Sequence, residues 1–129
     1  MTRRLLCLTA LLCGFLFAQD RVYELRTYHC FPGKLETLKK RFRDHTIEIF
    51  KRHGMQSIGY WVPEDAEKSK NTLVYIISHG SREQAVRNWK EFHDDPEWKK
   101  VAADSEANGK LVEKVDSEYM DPTDFSKLK

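Results

Sequence analysis

Residues 72–79 read TLVYIISH, and this stretch decides how the rest of the chain is interpreted. Its β-branched and aromatic residues predict a strand, and residues 73–77 are apolar at every position. A sheet with helices on one face and water on the other has strands that alternate apolar and polar residues. The pattern therefore predicts a strand that is buried on both faces.

The stretch before it, MQSIGYWV at residues 55–62, predicts a second strand with the same property. Trp61 lies on the opposite parity to Tyr60, so a large apolar side chain falls on each face. A chain of 129 residues has the size of one domain and is too short to supply a second covering layer. We therefore expect a second copy of the sheet to cover the open face in a homodimer.

Two further strands and two helical regions complete the domain. RVYELRTYH at 21–29 and LVEKVDSEYM at 111–120 predict the first and last strands. One helix follows Pro32-Gly33 and ends before Gly54, and the other opens with Ser81 and Gln84 as a capping box. Asp95-Pro96 restarts the second helix as N-cap and first residue.

The resulting order, βαββαβ, predicts an α+β domain of ferredoxin-like topology. It has a four-stranded antiparallel sheet with the helices on one face. The predicted apolar stripe of the first helix consists of Leu35, Leu38, Phe42, Ile49 and Phe50.

Residues 1–18 differ from the rest of the chain and predict a cleaved signal peptide. Arg3 and Arg4 precede an uncharged run over residues 5–18. We expect a domain at 19–121, a tail at 122–129, and a secreted or periplasmic location, with a mitochondrial one as the alternative in a eukaryote. The chain has 22 Lys+Arg and 20 Asp+Glu, and without the two leader arginines it is formally neutral, which argues against nucleic-acid binding. After residue 18 no stretch is long and apolar enough for a membrane span.

The most prominent polar pattern is Glu24, Arg26 and Tyr28, at every second position of the first strand. We expect the alternate residues Tyr23, Leu25 and Thr27 to face the helices, which places the polar residues on the open face. There Arg26 could bind a ligand carboxylate and Tyr28 could donate a hydrogen bond, with Trp61 beside them. The alternative is an internal Glu24–Arg26 pair with a structural role.

Three histidines are weaker acid–base candidates. His29 and His79 end the first and third strands and would be close if the strands were neighbours, whereas His45 lies beside the apolar stripe of the first helix. We predict no metal site, because His45 and Glu48 would supply only two ligands. Cys30 is the single cysteine beyond the leader, so we expect a buried thiol and no intramolecular disulfide.

The sequence resembles the NIPSNAP family of the dimeric α/β-barrel superfamily. The resemblance rests on Tyr23-Glu24-Leu25-Arg26-Thr27-Tyr28 followed by Pro32-Gly33, on Leu73-Val74-Tyr75 with Ser81, on Trp89-x-x-Phe92-x-x-Asp95-Pro96-Glu97-Trp98, and on Ser105-Glu106. It implies a ferredoxin-like protomer whose sheet pairs with that of a second copy to close a barrel. The activity of the family is poorly defined.

The resemblance leaves two functional expectations open. The first is a module that binds a small molecule or a partner in the barrel interior. The second is an enzyme, because the superfamily includes haem-degrading and cofactor-free monooxygenases. Related haem-binding members carry a histidine shortly after a segment like Pro96-Glu97-Trp98, where this chain has only lysine, valine and alanine at 99–103. We therefore expect neither haem nor any other cofactor.

Overall fold

The computed structural model describes residues 21–129, so the predicted signal peptide at 1–18 lies outside the described residues. The four strands form one antiparallel sheet in the order β2-β3-β1-β4, which confirms the α+β ferredoxin-like fold. No helix in this part of the chain is long and apolar enough to cross a membrane. The strands are β1 (Val22–Cys30), β2 (Gln56–Trp61), β3 (Thr72–His79) and β4 (Val112–Met120); the helices are α1 (Leu35–Arg41), α2 (Ile47–Arg52), α3 (Arg82–Asp94) and α4 (Pro96–Ser105).

A π-helical turn, Phe42–Thr46, joins α1 to α2 within one continuous helical region. The Thr46 hydroxyl donates to the Arg41 carbonyl, five residues back, over 3.3 Å. Every member of the predicted apolar stripe is buried in the core, so the stripe is confirmed although the π turn was not predicted. The region ends at Gly54, whose positive φ of 76° favours glycine.

The junction of α3 and α4 is fixed by Asp95. One carboxylate oxygen accepts from the backbone N–H groups of Glu97 and Trp98, at 2.8 and 3.4 Å. The other accepts from Arg52 at 2.8 Å and from His53 at 2.6 Å. Asp95 therefore caps α4 as predicted and also links the end of α2 to the junction of α3 and α4.

The two faces of the sheet have different surroundings. On β3, Leu73, Tyr75 and Ile77 are buried against the helices, whereas Val74 and Ile76 point to the open face and are only partly buried. Trp61 also lies on the open face and is 51% exposed. The apolar character of both faces is confirmed, and the helices cover only one of them. A second sheet that closes a barrel over the open face remains a prediction.

Candidate functional site

Glu24 is the centre of a buried polar cluster on the helix-covered face of the sheet. It is 1% exposed, and its two carboxylate oxygens accept hydrogen bonds from different elements. One oxygen accepts from Arg26 at 2.6 Å and from Ser117 on β4 at 2.7 Å. The other accepts from the Trp89 indole on α3 at 2.8 Å and lies 3.0 Å from His79 Nε2 on β3. The carboxylate thus joins three strands to α3.

This position corrects the predicted orientation of β1. Glu24, Arg26 and Tyr28 share one face as expected, but that face meets the helices rather than the open side. Leu25 and Thr27 occupy the open face instead, where Thr27 pairs with Asp116 of β4 and Leu25 with Glu118. The polar residues are accommodated among the helices because Trp89, His79 and Ser117 supply donors to the buried carboxylate. The predicted placement of Glu24, Arg26 and Tyr28 on the open face is therefore wrong, and a ligand-binding role for them stays a prediction.

The hydrogen bonds to Glu24 affect the pKa of its carboxyl more strongly than its burial does. Burial acts to raise the pKa of this carboxyl, but the bonds from His79, Ser117, Trp89 and Arg26 lower it from 4.5 to about 2. The carboxylate is therefore ionised throughout the physiological pH range. Because an ionised carboxylate only accepts, the His79 nitrogen that faces it carries a proton.

Arg26 is held between the carboxylate and two aromatic rings. Its guanidinium carbon lies 4.2 Å from the centre of the Trp89 ring and 5.5 Å from that of Tyr28. Burial acts to lower its pKa, but the neighbouring Tyr28, Tyr75 and Glu24 raise it above its usual value. Arg26 is 15% exposed at the side chain and is paired within the protein. This arrangement fits the structural alternative better than a clamp for a ligand carboxylate.

Two phenols extend the cluster toward the aromatic core. The Tyr75 hydroxyl donates to the Tyr28 hydroxyl over 2.9 Å, and Arg26 lies 3.5 Å from that hydroxyl. Burial, together with the nearby Tyr28, raises the pKa of Tyr75 well above 10.0. Tyr75 also stacks on Tyr60 at 5.4 Å and lies 5.2 Å from Phe42. The two phenols therefore bridge the polar cluster to the hydrophobic core.

His79 is part of this cluster, but the other histidine candidates are not. Although β1 and β3 are neighbours, they are antiparallel, so His29 pairs with Thr72 at one end and His79 with Val22 at the other. The expected proximity of His29 and His79 is therefore wrong. His29 bonds Asp116 at 2.8 Å on the surface, and His45 lines a groove between α1 and α4. Across residues 21–129, no cluster of three or more His, Cys, Asp or Glu could hold a metal ion.

Sequence reasoning missed three members of the cluster, namely Trp89, Asn88 and Ser117. Asn88 is buried on α3, where its side-chain amide lies 3.1 Å from His79 Nδ1 and within 2.9 Å of the His53 carbonyl. The sequence signal for this residue is that Asn88, a polar residue, directly precedes Trp89 on the apolar side of the predicted helix. Ser117 gives no such signal, because it depends on the register of β4 opposite Arg26.

A separate cavity of about 310 Å³ lies between the π-helical turn and the end of β2. Lys39 and Arg43 stand at its rim. The Trp61 indole lies over Gly59, where a Cβ atom would approach it to 2.6 Å, so a larger residue at this position would displace the ring. Its apolar lining consists of Phe42, Ile47, Tyr60, Trp61, Val62 and Leu73. Trp61, one of the predicted ligand-binding residues, thus lines this cavity.

Comparisons with known proteins agree with this architecture. A NIPSNAP family protein of unknown function from Agrobacterium tumefaciens is 27% identical, with 86% of this chain and 96% of that chain covered and a TM-score of 0.73. A NIPSNAP-like domain protein from Burkholderia xenovorans is 19% identical over 84% and 90% of the two chains, with a TM-score of 0.71.

SnoaB, a cofactor-independent oxygenase from Streptomyces nogalater, shares the fold at 14% identity and a TM-score of 0.56, with 84% of this chain and 98% of that chain covered. No curated protein matches the sequence. The NIPSNAP family model matches residues 23–127, which is most of the chain. The protein described here therefore belongs to the NIPSNAP family.

Proposed function

We propose that this protein is an exported, homodimeric module that binds a small molecule. The cavity beside Trp61 carries the binding part of the proposal. Ligand sites are typically concave, mostly apolar and about 300–1,000 Å³ in volume, with a few polar groups that orient the ligand. A cavity of about 310 Å³ with aromatic walls and basic side chains only at its rim has these properties.

The central polar cluster supports binding without turnover. Glu24 is fully buried, and its partners all belong to the protein. A general base must instead reach a proton on a bound substrate. The cluster therefore serves as a rigid support, and the ligand site is the cavity on the other side of Tyr75.

The open face of the sheet supports the homodimer. Leu25, Val74, Ile76 and Trp61 form a continuous apolar surface there, because β1, β3 and β2 are neighbours. A second copy that meets this surface about a two-fold axis would bury the same residues on both protomers. Such an arrangement closes a barrel between the two sheets and places the cavity beside Trp61 at its rim.

Export rests on residues 1–18, where two arginines precede an uncharged apolar run. We propose that this segment directs the chain out of the cytoplasm and is then removed. Native mass spectrometry on the protein recovered from its own cells measures both features together. We expect the mass of a dimer that lacks the leader. A monomer, or a chain that retains residues 1–18, would contradict the corresponding part of the proposal.

Binding is tested with the uncharged fluorescent probe N-phenyl-1-naphthylamine. We expect saturable binding to the wild-type protein, and its loss in Ile47→Trp, because the added ring fills the cavity from its wall. Val86→Trp adds the same ring on an exposed position of α3 and should bind as the wild type does. Equal probe binding in Ile47→Trp and the wild type would place the site elsewhere, and no binding to the wild type would overturn the binding function.

A further inference from the structure

The rim of the cavity beside Trp61 has a single sign of charge. Lys39 and Arg43 project from α1 and the π-helical turn, and no carboxylate is among the lining residues. Lys39 bonds the exposed Glu36 at 2.8 Å. Arg43 makes no hydrogen bond or ion pair with any residue of 21–129, so its donors are available to a ligand.

The π-helical turn explains why these residues reach the cavity. In an ordinary α-helix, residues five positions apart point to different sides, because one turn takes 3.6 residues. The π turn closes over five residues, with the Ile47 N–H bonding the Phe42 carbonyl, so both residues line the cavity with Arg43 beside them. Single π turns within α-helices are frequent at functional sites. The turn is also stabilised locally, because the Thr46 hydroxyl bonds the Arg41 carbonyl.

The opposite end of the cavity offers only apolar and aromatic surface. Tyr60 is the one wall residue with a hydroxyl, and that hydroxyl already bonds Ser57 at 2.7 Å. A ligand that fits must therefore bury an apolar body against these rings and keep its charged end at the rim. The charge at the rim requires that end to be negative.

We propose that the cavity binds an amphipathic organic anion, with its apolar body against Phe42, Tyr60 and Trp61 and its carboxylate on Arg43. A guanidinium is suited to this role because its planar array of donors binds a carboxylate with two parallel bonds. The assignment rests on the binding function proposed above and specifies the class of ligand. It gives no role to the polar cluster around Glu24.

Competition between matched ligands tests the assignment. Decanoate and decan-1-ol have the same chain length and differ in the charge of the head group. Each is titrated against N-phenyl-1-naphthylamine bound to the wild-type protein. We expect decanoate to displace the probe at an about tenfold lower concentration than decan-1-ol, as one charge-assisted contact would provide.

The variant Arg43→Gln should raise the concentration of decanoate needed by about tenfold and leave decan-1-ol unchanged. Arg87→Gln, which removes an exposed arginine on α3, is the matched control and should behave as the wild type does. If the two ligands compete equally, the anionic class is wrong while the cavity remains a binding site. If decanoate competes better but Arg43→Gln leaves its competition unchanged, the assignment of the carboxylate to Arg43 is wrong. If the probe itself does not bind, the proposed function fails first.

Discussion

Replacing Glu24 by alanine is expected to lower the free energy of unfolding by about 3–5 kcal/mol. The substitution removes the carboxylate that accepts from Arg26, Ser117, Trp89 and His79. Arg26 would then be a largely buried cation without its partner, and the other donors would lose a bond in a site closed to water. Denaturation by urea, followed by circular dichroism, measures the loss.

Two further variants test whether the destabilisation by Glu24→Ala comes from the buried network or from the loss of a negative charge alone. Glu113→Ala removes an exposed carboxylate from β4 and should change the free energy of unfolding by no more than about 0.5 kcal/mol. The double variant Glu24→Leu with Arg26→Met replaces both ions by apolar groups and should be more stable than Glu24→Ala alone. A loss of less than about 1 kcal/mol in Glu24→Ala would contradict the central role of this carboxylate.

The free energy of unfolding should also depend on pH through Glu24. The pKa of Glu24 is about 2 in the folded protein and 4.5 is its ordinary value, so the folded state holds the proton less tightly. Its contribution is therefore complete above about pH 4.5 and is lost as the pH falls toward about 2. The difference in unfolding free energy between the wild type and Glu24→Gln should shrink over this window. A difference that stays constant would show that Glu24 is not the group responsible.

The sequence predicts the topology because its signals are local. The capping residues Ser81 and Asp95 lie at the starts of α3 and α4, and the apolar stripe from Leu35 to Phe50 forms the core face of the first helical region. Each of these signals depends on residues within a few positions of one another. The apolar character of both faces of β3 also follows from a single strand, because residues 73–77 are all apolar.

The orientation of β1 could not be predicted in the same way. Alternation divides Glu24, Arg26 and Tyr28 from Leu25 and Thr27, but it does not state which set meets the helices. Assigning the polar set to the uncovered face is the ordinary expectation, since burying charge is unfavourable. Here the partners Trp89 and Ser117 lie 65 and 93 residues away from Glu24, and no local pattern reveals them.

The cavity beside Trp61 depends on an equally non-local arrangement. The aromatic residues at 60 and 61 signal a strand, but the cavity exists because the π-helical turn shifts the helix surface that faces them. The apolar residues on either side of the π-helical turn fit a helical periodicity of 3.6 residues, so the sequence pattern does not reveal the additional residue in the turn. Residues that bind a ligand are therefore less visible in this sequence than the residues that build its sheet.

The prediction with the largest effect on assembly concerns Ile76. Ile76 lies near the middle of the open face, where it pairs with Leu25 on β1 and Gly59 on β2. In a two-fold dimer, Ile76→Asp would place one carboxylate from each protomer in the same apolar interface. Because an unpaired buried charge costs several kcal/mol, the dissociation constant should rise by at least about 100-fold. Sedimentation velocity should then find a monomer at concentrations where the wild type is a dimer.

Two further variants test whether Ile76→Asp dissociates the dimer because Ile76 lies in the interface between the protomers. Val86→Asp places the same charge on an exposed position of α3 and should leave the dimer intact. Val74→Asp, two residues along the same face of β3, should dissociate the dimer as Ile76→Asp does, and it replaces Ile76→Asp if that variant does not fold. If a monomeric variant gives the same circular dichroism spectrum as the wild type, the protomer keeps its fold without the second copy. A folded Ile76→Asp variant that sediments as a stable dimer would mean that the protomers associate through another surface, because two facing carboxylates cannot remain in an apolar barrel at little cost.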